Sequence, residues 1–114
     1  MNVSTRTREG VTVVDLEGKI TIGRGDVALR DAVNAAIDDG SRAVVLNFAK
    51  VKSMDSSGMA ELGAAYRRMD DLGGTVALCS VPANVTEILR MTQIITVFDV
   101  YPDEDEAVAA MSSG

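Results

Sequence analysis

The spacing of apolar residues along this chain alternates between the period of a strand and the period of a helix. Runs that alternate or are continuously apolar predict five strands, at residues 3–8, 11–17, 43–48, 75–79 and 95–101. Only Glu9-Gly10, a two-residue turn signal, separates the first two runs. These two strands are therefore expected to form an antiparallel hairpin.

A glycine-rich stretch follows the hairpin at residues 18–25 and is predicted to be a loop. Apolar residues then recur at helical spacing over residues 27–39. Asp26 is a suitable N-cap for this helix, and Gly40 is suited to end it.

Three further helices are predicted between or after the remaining strands. The longest begins at Gly58 and ends at the pair Gly73-Gly74. The next has Pro82 in its first turn, a position that tolerates proline because its N–H would be unpaired anyway. The last helix is opened by Asp103, a capping residue followed by further acids that suit the positive end of a helix.

The predicted order of elements is β-β-α-β-α-β-α-β-α. Strands joined through helices pair in parallel by right-handed crossovers. The sequence therefore predicts the α/β class, with one domain over residues 1–114 and a core from about residue 3 to residue 111. A mostly parallel mixed sheet of five strands would carry four helices, with the hairpin as its antiparallel edge. The almost wholly apolar run at 43–48 is typical of a central strand buried on both faces.

Composition and charge narrow the functions that this fold could perform. The chain has 11 basic and 17 acidic residues, and its net charge of −6 disfavours non-specific binding to nucleic acid. It has no histidine and one cysteine, Cys79, so the triads and the usual zinc and iron sites that use these residues cannot be built. We therefore expect a protein that is not an enzyme and that uses neither a metal nor a cofactor.

The compartment can also be predicted from the sequence. No apolar run approaches the roughly 18 residues of a membrane span, and residues 1–6 lack the apolar stretch of a secretion signal. Cys79 can form no intrachain disulfide, and its apolar surroundings predict a buried thiol. A cytoplasmic location is expected, since that compartment is reducing.

The most informative polar stretch is Ser53-Met54-Asp55-Ser56-Ser57-Gly58, at a predicted turn from strand to helix. A helix N-terminus presents unpaired N–H groups and partial positive charge, so Asp55 or Ser56 could serve only as an N-cap. The functional alternative is phosphorylation, which adds about −1.5 to −2 charges. The helix end would tolerate that charge, but a partner packed on the turn would not. Gly58 weakens the helix, and we interpret it as room for a partner.

Three features of the chain together carry a family resemblance. They are the strand at residues 44–48, the turn Met54-Asp55-Ser56-Ser57-Gly58-Met59, and the helix that ends at Leu72-Gly73-Gly74 before another strand. From about residue 11 to residue 110 the chain resembles the STAS domain of anti-sigma factor antagonists. The resemblance implies a partner switch. The unphosphorylated protein would bind an anti-sigma factor, a serine kinase of the histidine-kinase-like ATPase fold, and thereby release a sigma factor. Phosphorylation by that kinase would end the binding, and a serine phosphatase would restore it.

By position in the motif, the resemblance implies Ser56 as the phosphoacceptor, with Ser57 as the alternative. Asp55 would be an interface or positioning acid, because ATP and the catalytic groups belong to the kinase. The partner-binding residues would lie around this serine and in the loop after the hairpin, at Thr21, Gly23, Arg24, Met54, Asp55, Ser57, Gly58 and Met59. Family members often have Gly-Glu-Leu-Asp in that loop, whereas this chain has Gly18-Lys19-Ile20-Thr21 and lacks both acids.

Other functions of the same fold class are the alternatives. The chain could be a STAS subunit of a lipid-transport ABC system, or another partner-switching scaffold without a sigma factor, in which the turn is only a contact. A small enzyme or nucleotide binder is disfavoured because histidine and a P-loop are missing. Met54, Met59 and Met91 either provide an adaptable contact surface or fill the core, as methionines at this spacing more often do.

Overall fold

The computed structural model describes residues 1–93 and 96–112. The elements follow the predicted order, with strands and helices β1 (Asn2–Arg8), β2 (Val11–Ile20), α1 (Gly25–Asp38), β3 (Ala43–Met54), α2 (Ser56–Asp71), β4 (Thr75–Cys79), α3 (Ala83–Met91), β5 (Asp99–Tyr101) and α4 (Glu104–Ser112). Within the described ranges, no helix is long and apolar enough to cross a membrane.

The five strands form one mixed sheet in the order β1-β2-β3-β4-β5. β1 is antiparallel to β2, and every other neighbouring pair is parallel. The predicted α/β class and the antiparallel hairpin at the sheet edge are therefore confirmed. Because β2 and β3 run in the same direction, their carboxyl ends and the loops that follow them lie at the same edge of the sheet.

The helices cover the two faces of the sheet unequally. Right-handed crossovers between strands in sequential order place α1, α2 and α3 on one face. The core on that face contains a fully buried leucine from each of these helices: Leu29, Leu62 and Leu89. The other face is covered by α4, whose Ala107 and Val108 pack with Val45 of β3. The central strand β3 is therefore buried on both faces along its first half, as its apolar run predicts.

Two strands extend further than the sequence predicts. β2 continues into the predicted loop as far as Ile20, and β3 continues past Phe48 to Met54. Ile20 and Met54 are opposite each other in the parallel register, and both are buried. The pairing of β2 with β3 shifts register twice, so the alternation of buried and exposed residues is irregular and is not visible in the sequence. The loop is reduced to residues 21–24, and the turn begins at Asp55.

Three helix starts also differ from the predicted ones. α1 begins at Gly25, so Asp26 lies in its first turn and is not the N-cap. α2 begins at Ser56, two residues before Gly58, because Asp55 supplies the cap. Pro82 is the N-cap of α3 and lies just before its first turn.

The last predicted strand is shorter than expected. Within the predicted range 95–101, only Asp99–Tyr101 pairs as a strand, and Ile95 lies outside the described residues. The preceding residues turn so that Phe98 enters the core, where it is 5% exposed. Its ring meets that of Tyr66 edge-on, with a centroid distance of 5.4 Å. Burial of this aromatic ring takes the place of strand pairing at residues 96–98.

The predicted ends of two helices and the start of a third are confirmed. Gly40 and Gly73 have φ angles of +87° and +76°, the left-handed conformation that glycine adopts without strain after a helix. At the start of α4, Asp103 Oδ1 accepts a hydrogen bond from the Glu106 N–H at 2.8 Å.

An ion cluster joins the N-terminal hairpin to α4. Arg6 lies 2.6 Å from Asp15 through Nε and 2.6 Å from Glu104 through Nη2, and Arg8 also donates to Glu104. Asn47 donates to Asp15 at 2.9 Å. The Arg6 guanidinium lowers the pKa of both carboxyl groups, Asp15 and Glu104, below their ordinary values. The cluster therefore stabilises the packing of α4 only while its carboxyl groups are charged.

We expect Glu104→Gln to lower the free energy of unfolding at neutral pH by about 1 kcal/mol, because the amide keeps the shape but loses the charge. A carboxyl with a lowered folded-state pKa adds stability above its unfolded-state pKa, about 4.3 for glutamate. That stability is lost as the pH falls through the lower folded-state pKa. In urea unfolding, wild type and variant should therefore converge between about pH 5 and about pH 2.

Glu87→Gln is the matched control, since Glu87 is exposed on α3 and has no ion pair in the described part of the chain. Its stability should follow that of wild type throughout the titration. A deficit of Glu104→Gln that is as large in acid as at neutral pH would show that the charge of Glu104 is not what stabilises α4.

Candidate functional site

Two parallel strands end side by side at the predicted turn. β3 ends at Met54, and α2 begins at Ser56 after the single residue Asp55. The Asp55 N–H donates to the carbonyl oxygen of Ile20, the last residue of β2, at 3.3 Å. The loop at residues 21–24 and the start of α2 therefore form one continuous surface. It lies at the carboxyl edge of the sheet, where α/β proteins commonly bind their ligands.

The Asp55 side chain joins the helix to the neighbouring loop. Its Oδ1 accepts from the Gly58 N–H at 3.0 Å and thereby caps α2. Its Oδ2 accepts from the Ile22 N–H, also at 3.0 Å. The N–H groups of Gly58 and Ile22 lower the pKa of the Asp55 carboxyl below its ordinary value. Of the two predicted caps, Asp55 is the one that the structure uses.

Ser56 and Ser57 occupy the first two positions of α2. Ser56 is exposed and Ser57 is half-buried. Neither hydroxyl has a hydrogen-bond partner within residues 1–93 and 96–112. The capping function predicted for this turn is thus performed by Asp55, which leaves the Ser56 hydroxyl free and accessible at a helix N-terminus.

Gly58 and Gly25 allow the end of β2 to pass unusually close to two helices. A Cβ on Gly58 would lie 2.3 Å from the Ile20 carbonyl oxygen, and a Cβ on Gly25 would lie 2.2 Å from the Lys19 carbonyl oxygen. Both distances are well below van der Waals contact. The sequence suggested that Gly58 leaves room for a partner, but the structure fills that space with the backbone of β2.

The methionines near the turn are divided between core and surface. Met54 and Met59 are each 4% exposed, and Gly58 is also buried. These three residues pack in the core beneath the turn and present little surface to a partner. Met91, at the end of α3, is 80% exposed. The core interpretation therefore holds for the first two methionines and fails for Met91.

The predicted contact residues of the loop lie beside this turn. Thr21 is half-buried, and Gly23 and Arg24 are exposed. The Gly23 N–H donates to Asp26 Oδ1 at 3.0 Å, so the carboxylate of Asp26 holds the loop and does not cap the helix. The structure thus brings the loop residues and the start of α2 together on one surface.

Sequence reasoning missed Ile22, which is 74% exposed in the middle of this loop. It was assigned no function because it belonged to a predicted glycine-rich loop. The available signal was a large apolar residue next to Gly23, in a stretch that continues neither a strand pattern nor a helix pattern beyond it.

This surface offers a group that can be modified, but no group placed to catalyse the modification. Ser56 offers a free hydroxyl, but Asp55 is engaged by two backbone N–H groups and is not placed to act as a base. Cys79 is fully buried, and burial raises the pKa of its thiol to about 11, in agreement with the predicted core thiol. A reaction at Ser56 would therefore draw its catalytic groups from another protein.

We expect Gly58→Ala to lower the free energy of unfolding by about 2 kcal/mol, because its Cβ would push β2 away from α2. Gly63→Ala, in the same helix, is the matched control. A Cβ at Gly63 would meet only Arg67 Nη1, at 3.7 Å, so this variant should gain about 0.5–1 kcal/mol from helix propensity. Urea unfolding measures both. Equal effects of the two substitutions would contradict the close approach at Gly58.

Asp55→Ala should speed amide hydrogen exchange at both Ile22 and Gly58, because both N–H groups lose their acceptor. Asp55→Asn retains one acceptor oxygen and should protect one of the two amides. The Gly23 amide, held by Asp26, is an internal control and should exchange as in wild type. Unchanged exchange at Ile22 would show that Asp55 does not hold the loop in solution.

Comparison with known proteins gives relatives that match nearly the whole chain. The sequence is 23% identical over 111 residues to the anti-sigma F factor antagonist of Paenibacillus polymyxa, which covers 97% of this chain and 95% of the relative. An anti-sigma factor antagonist from Mycobacterium paratuberculosis superposes with a TM-score of 0.83 at 24% identity, over 96% of this chain and 92% of that one.

The Bacillus protein SpoIIAA in its phosphorylated form superposes with a TM-score of 0.73 at 18% identity, over 96% of this chain and 98% of that one. At these identities the structural likeness establishes the fold. The family model of the STAS domain matches residues 2–107. The chain therefore belongs to the STAS domain family.

Proposed function

We propose that this chain is an anti-sigma factor antagonist, and that its unphosphorylated form binds an anti-sigma factor and so releases a sigma factor. Membership of the STAS family and similarity to antagonists over nearly the full length support this proposal. The observation that carries it is the exposed Ser56 hydroxyl, without a partner in the described chain, at the start of a helix that another residue caps.

Ser56 is the proposed phosphoacceptor, and Ser57 is the alternative. Ser56 is favoured because it is exposed, whereas Ser57 is half-buried. A phosphate on Ser56 would lie at the positive end of α2, close to backbone N–H groups that have no partner within the helix. Phosphorylation should therefore leave the fold intact. The kinase must bring ATP and the catalytic base, since Asp55 is engaged by Gly58 and Ile22.

The phosphate would lower the affinity of the partner for this surface. The proposed contact surface consists of Ser56 and Ser57 with the neighbouring loop residues Thr21, Gly23 and Arg24. A partner that packs on this surface would have to desolvate a dianion next to the Asp55 carboxylate. Each 1.4 kcal/mol of that cost weakens binding about tenfold, so a few kcal/mol separate a bound from a free state.

The partner in this proposal is an anti-sigma factor that is also a serine kinase of the histidine-kinase-like ATPase fold. A serine phosphatase would restore the unphosphorylated form, and both reactions would take place in the cytoplasm. Lys19 and Arg24 are exposed near the turn, where family members often carry acids at the positions of Lys19 and Thr21. The partner surface that contacts Lys19 and Arg24 should therefore be less basic than the partner surfaces that contact family members with acids in this loop.

We expect a purified anti-sigma factor from the same organism to phosphorylate this chain on one residue, Ser56. The test incubates each candidate with ATP and locates the phosphate by mass spectrometry. Ser56→Ala should abolish the modification. Ser56→Asp should weaken binding by about tenfold to 100-fold while its circular dichroism and urea unfolding match wild type.

Ser4→Asp adds the same charge on the exposed edge strand β1 and is the matched control, which should bind normally. Phosphate on Ser57 would move the acceptor by one residue. If no anti-sigma factor of the organism binds the unmodified chain, or if Ser56→Asp binds as well as wild type, the proposed switch is wrong.

A further inference from the structure

A groove of about 540 Å³ runs beside α2, one turn beyond the Ser56 surface. α2 forms one of its walls, and Thr92, Gln93 and Val97 line the other. Its lining includes Ala60, Gly63, Tyr66 and Arg67 from α2, and Val97 from the opposite wall. Val97 is 47% exposed, so the groove presents apolar surface to its surroundings.

Gly63 in this groove is a glycine that the fold does not require. It lies inside α2, where glycine costs about 1 kcal/mol relative to alanine. A Cβ added at Gly58, Gly25 or Gly74 would lie within 3 Å of backbone or packed side-chain atoms, whereas the nearest atom to a Cβ at Gly63 would be Arg67 Nη1, at 3.7 Å. The space above Gly63 is therefore left open by this chain, at a cost in helix stability.

Tyr66 contributes an aromatic side chain to the groove, and Arg67 contributes a positive charge. Tyr66 is held by its edge-on contact with the buried ring of Phe98. Arg67 is exposed and has no ion pair or hydrogen bond in the part of the chain that the structure describes, although the chain carries a net charge of −6. Arg30 and Arg68, by contrast, both pair with Glu61. Arg67 thus remains available to a carboxylate from another molecule.

The groove is continuous with the proposed docking surface. Ser56, Ala60, Gly63 and Arg67 follow one another at steps of four, three and four residues, so they lie on one face of α2. At 1.5 Å per residue this stripe is about 16 Å long. A partner seated over Ser56 therefore needs to extend about one turn along the helix to reach Ala60 and about two turns to reach Gly63.

We infer that this groove receives a segment of the same anti-sigma factor that docks on Ser56. The segment places an apolar side chain over Gly63 and a carboxylate on the Arg67 guanidinium. This inference rests on the proposed function and adds the chemistry of the partner. The Ser56 end of the stripe responds to phosphorylation, while the Gly63 end supplies affinity that is independent of it.

The test uses the anti-sigma factor that binds wild type and measures affinity by titration calorimetry. Gly63→Leu fills the groove and should weaken binding at least tenfold. It should raise KM for phosphorylation of Ser56 without changing kcat, because the stripe docks the kinase but does not touch the reacting atoms. Gly63→Gln has a similar length without apolar character and should act in the same way.

Charge is tested separately at Arg67. Arg67→Glu should weaken binding at least tenfold, and Arg67→Lys should retain most of the affinity. Replacing the acidic residues of the partner surface with lysine, one at a time, should identify one substitution that restores binding to Arg67→Glu. Ala109→Leu enlarges an exposed small residue outside the groove, and Lys50→Glu makes the same change in charge as Arg67→Glu, so both should bind normally.

The outcomes separate this inference from the function on which it rests. If Ser56→Asp abolishes binding while Gly63→Leu and Arg67→Glu bind normally, the switch stands and the groove inference is overturned. If no anti-sigma factor binds wild type, the proposed function is wrong, and the groove inference that rests on it is wrong with it.

Two further results would give the groove another occupant. A destabilised Gly63→Ala would show that the chain itself fills the groove. If wild type forms a dimer, and Gly63→Leu prevents the dimer without changing partner affinity, the groove belongs to a second copy of the chain. Either result overturns the inference.

Discussion

The approach of the β2 backbone to α2 is the constraint on which the site depends. A side chain at position 58 would collide with the Ile20 carbonyl oxygen, so glycine is strongly favoured there. The same carbonyl accepts the Asp55 N–H, and the Asp55 carboxylate returns to the Ile22 N–H. Strand end, loop and helix start are thereby fixed relative to one another. An exposed serine on such a frame can change its charge while the backbone around it stays in place.

In this turn, the residues that cap and support the helix are different from the residue proposed to be modified. Asp55 and the buried residues beneath it provide capping and packing, and neither task uses the serine hydroxyl. A serine that capped its own helix would lose that bond on modification and would change the stability of the protein. Because Ser56 performs neither task, a phosphate there would act on an approaching surface. The proposed switch is for this reason electrostatic and not conformational.

Much of the fold could be predicted from the sequence because it follows from local pattern. The strand Thr75–Cys79 and the helix ends at Gly40 and Gly73 depend on short apolar runs and on single glycines. The continuation of β2 to Ile20 could not be predicted, since it depends on pairing with a strand that is distant in sequence and twice shifted in register. The site motif was visible, but the reason for Gly58 was not, because it lies in a backbone contact between separate elements.

The ion cluster at Arg6 joins residues that are 98 positions apart in sequence. Until α4 has formed, one face of the sheet, including Val45 and Ala77, has no cover. Contacts between such distant parts of a chain form slowly, and exposed apolar strands favour aggregation in the meantime. During synthesis on the ribosome, the hairpin, the parallel strands and the Ser56 turn would all emerge before the helix that completes their opposite face. The last helix therefore completes the burial of this face, and the Arg6 cluster attaches it to the hairpin that is made first.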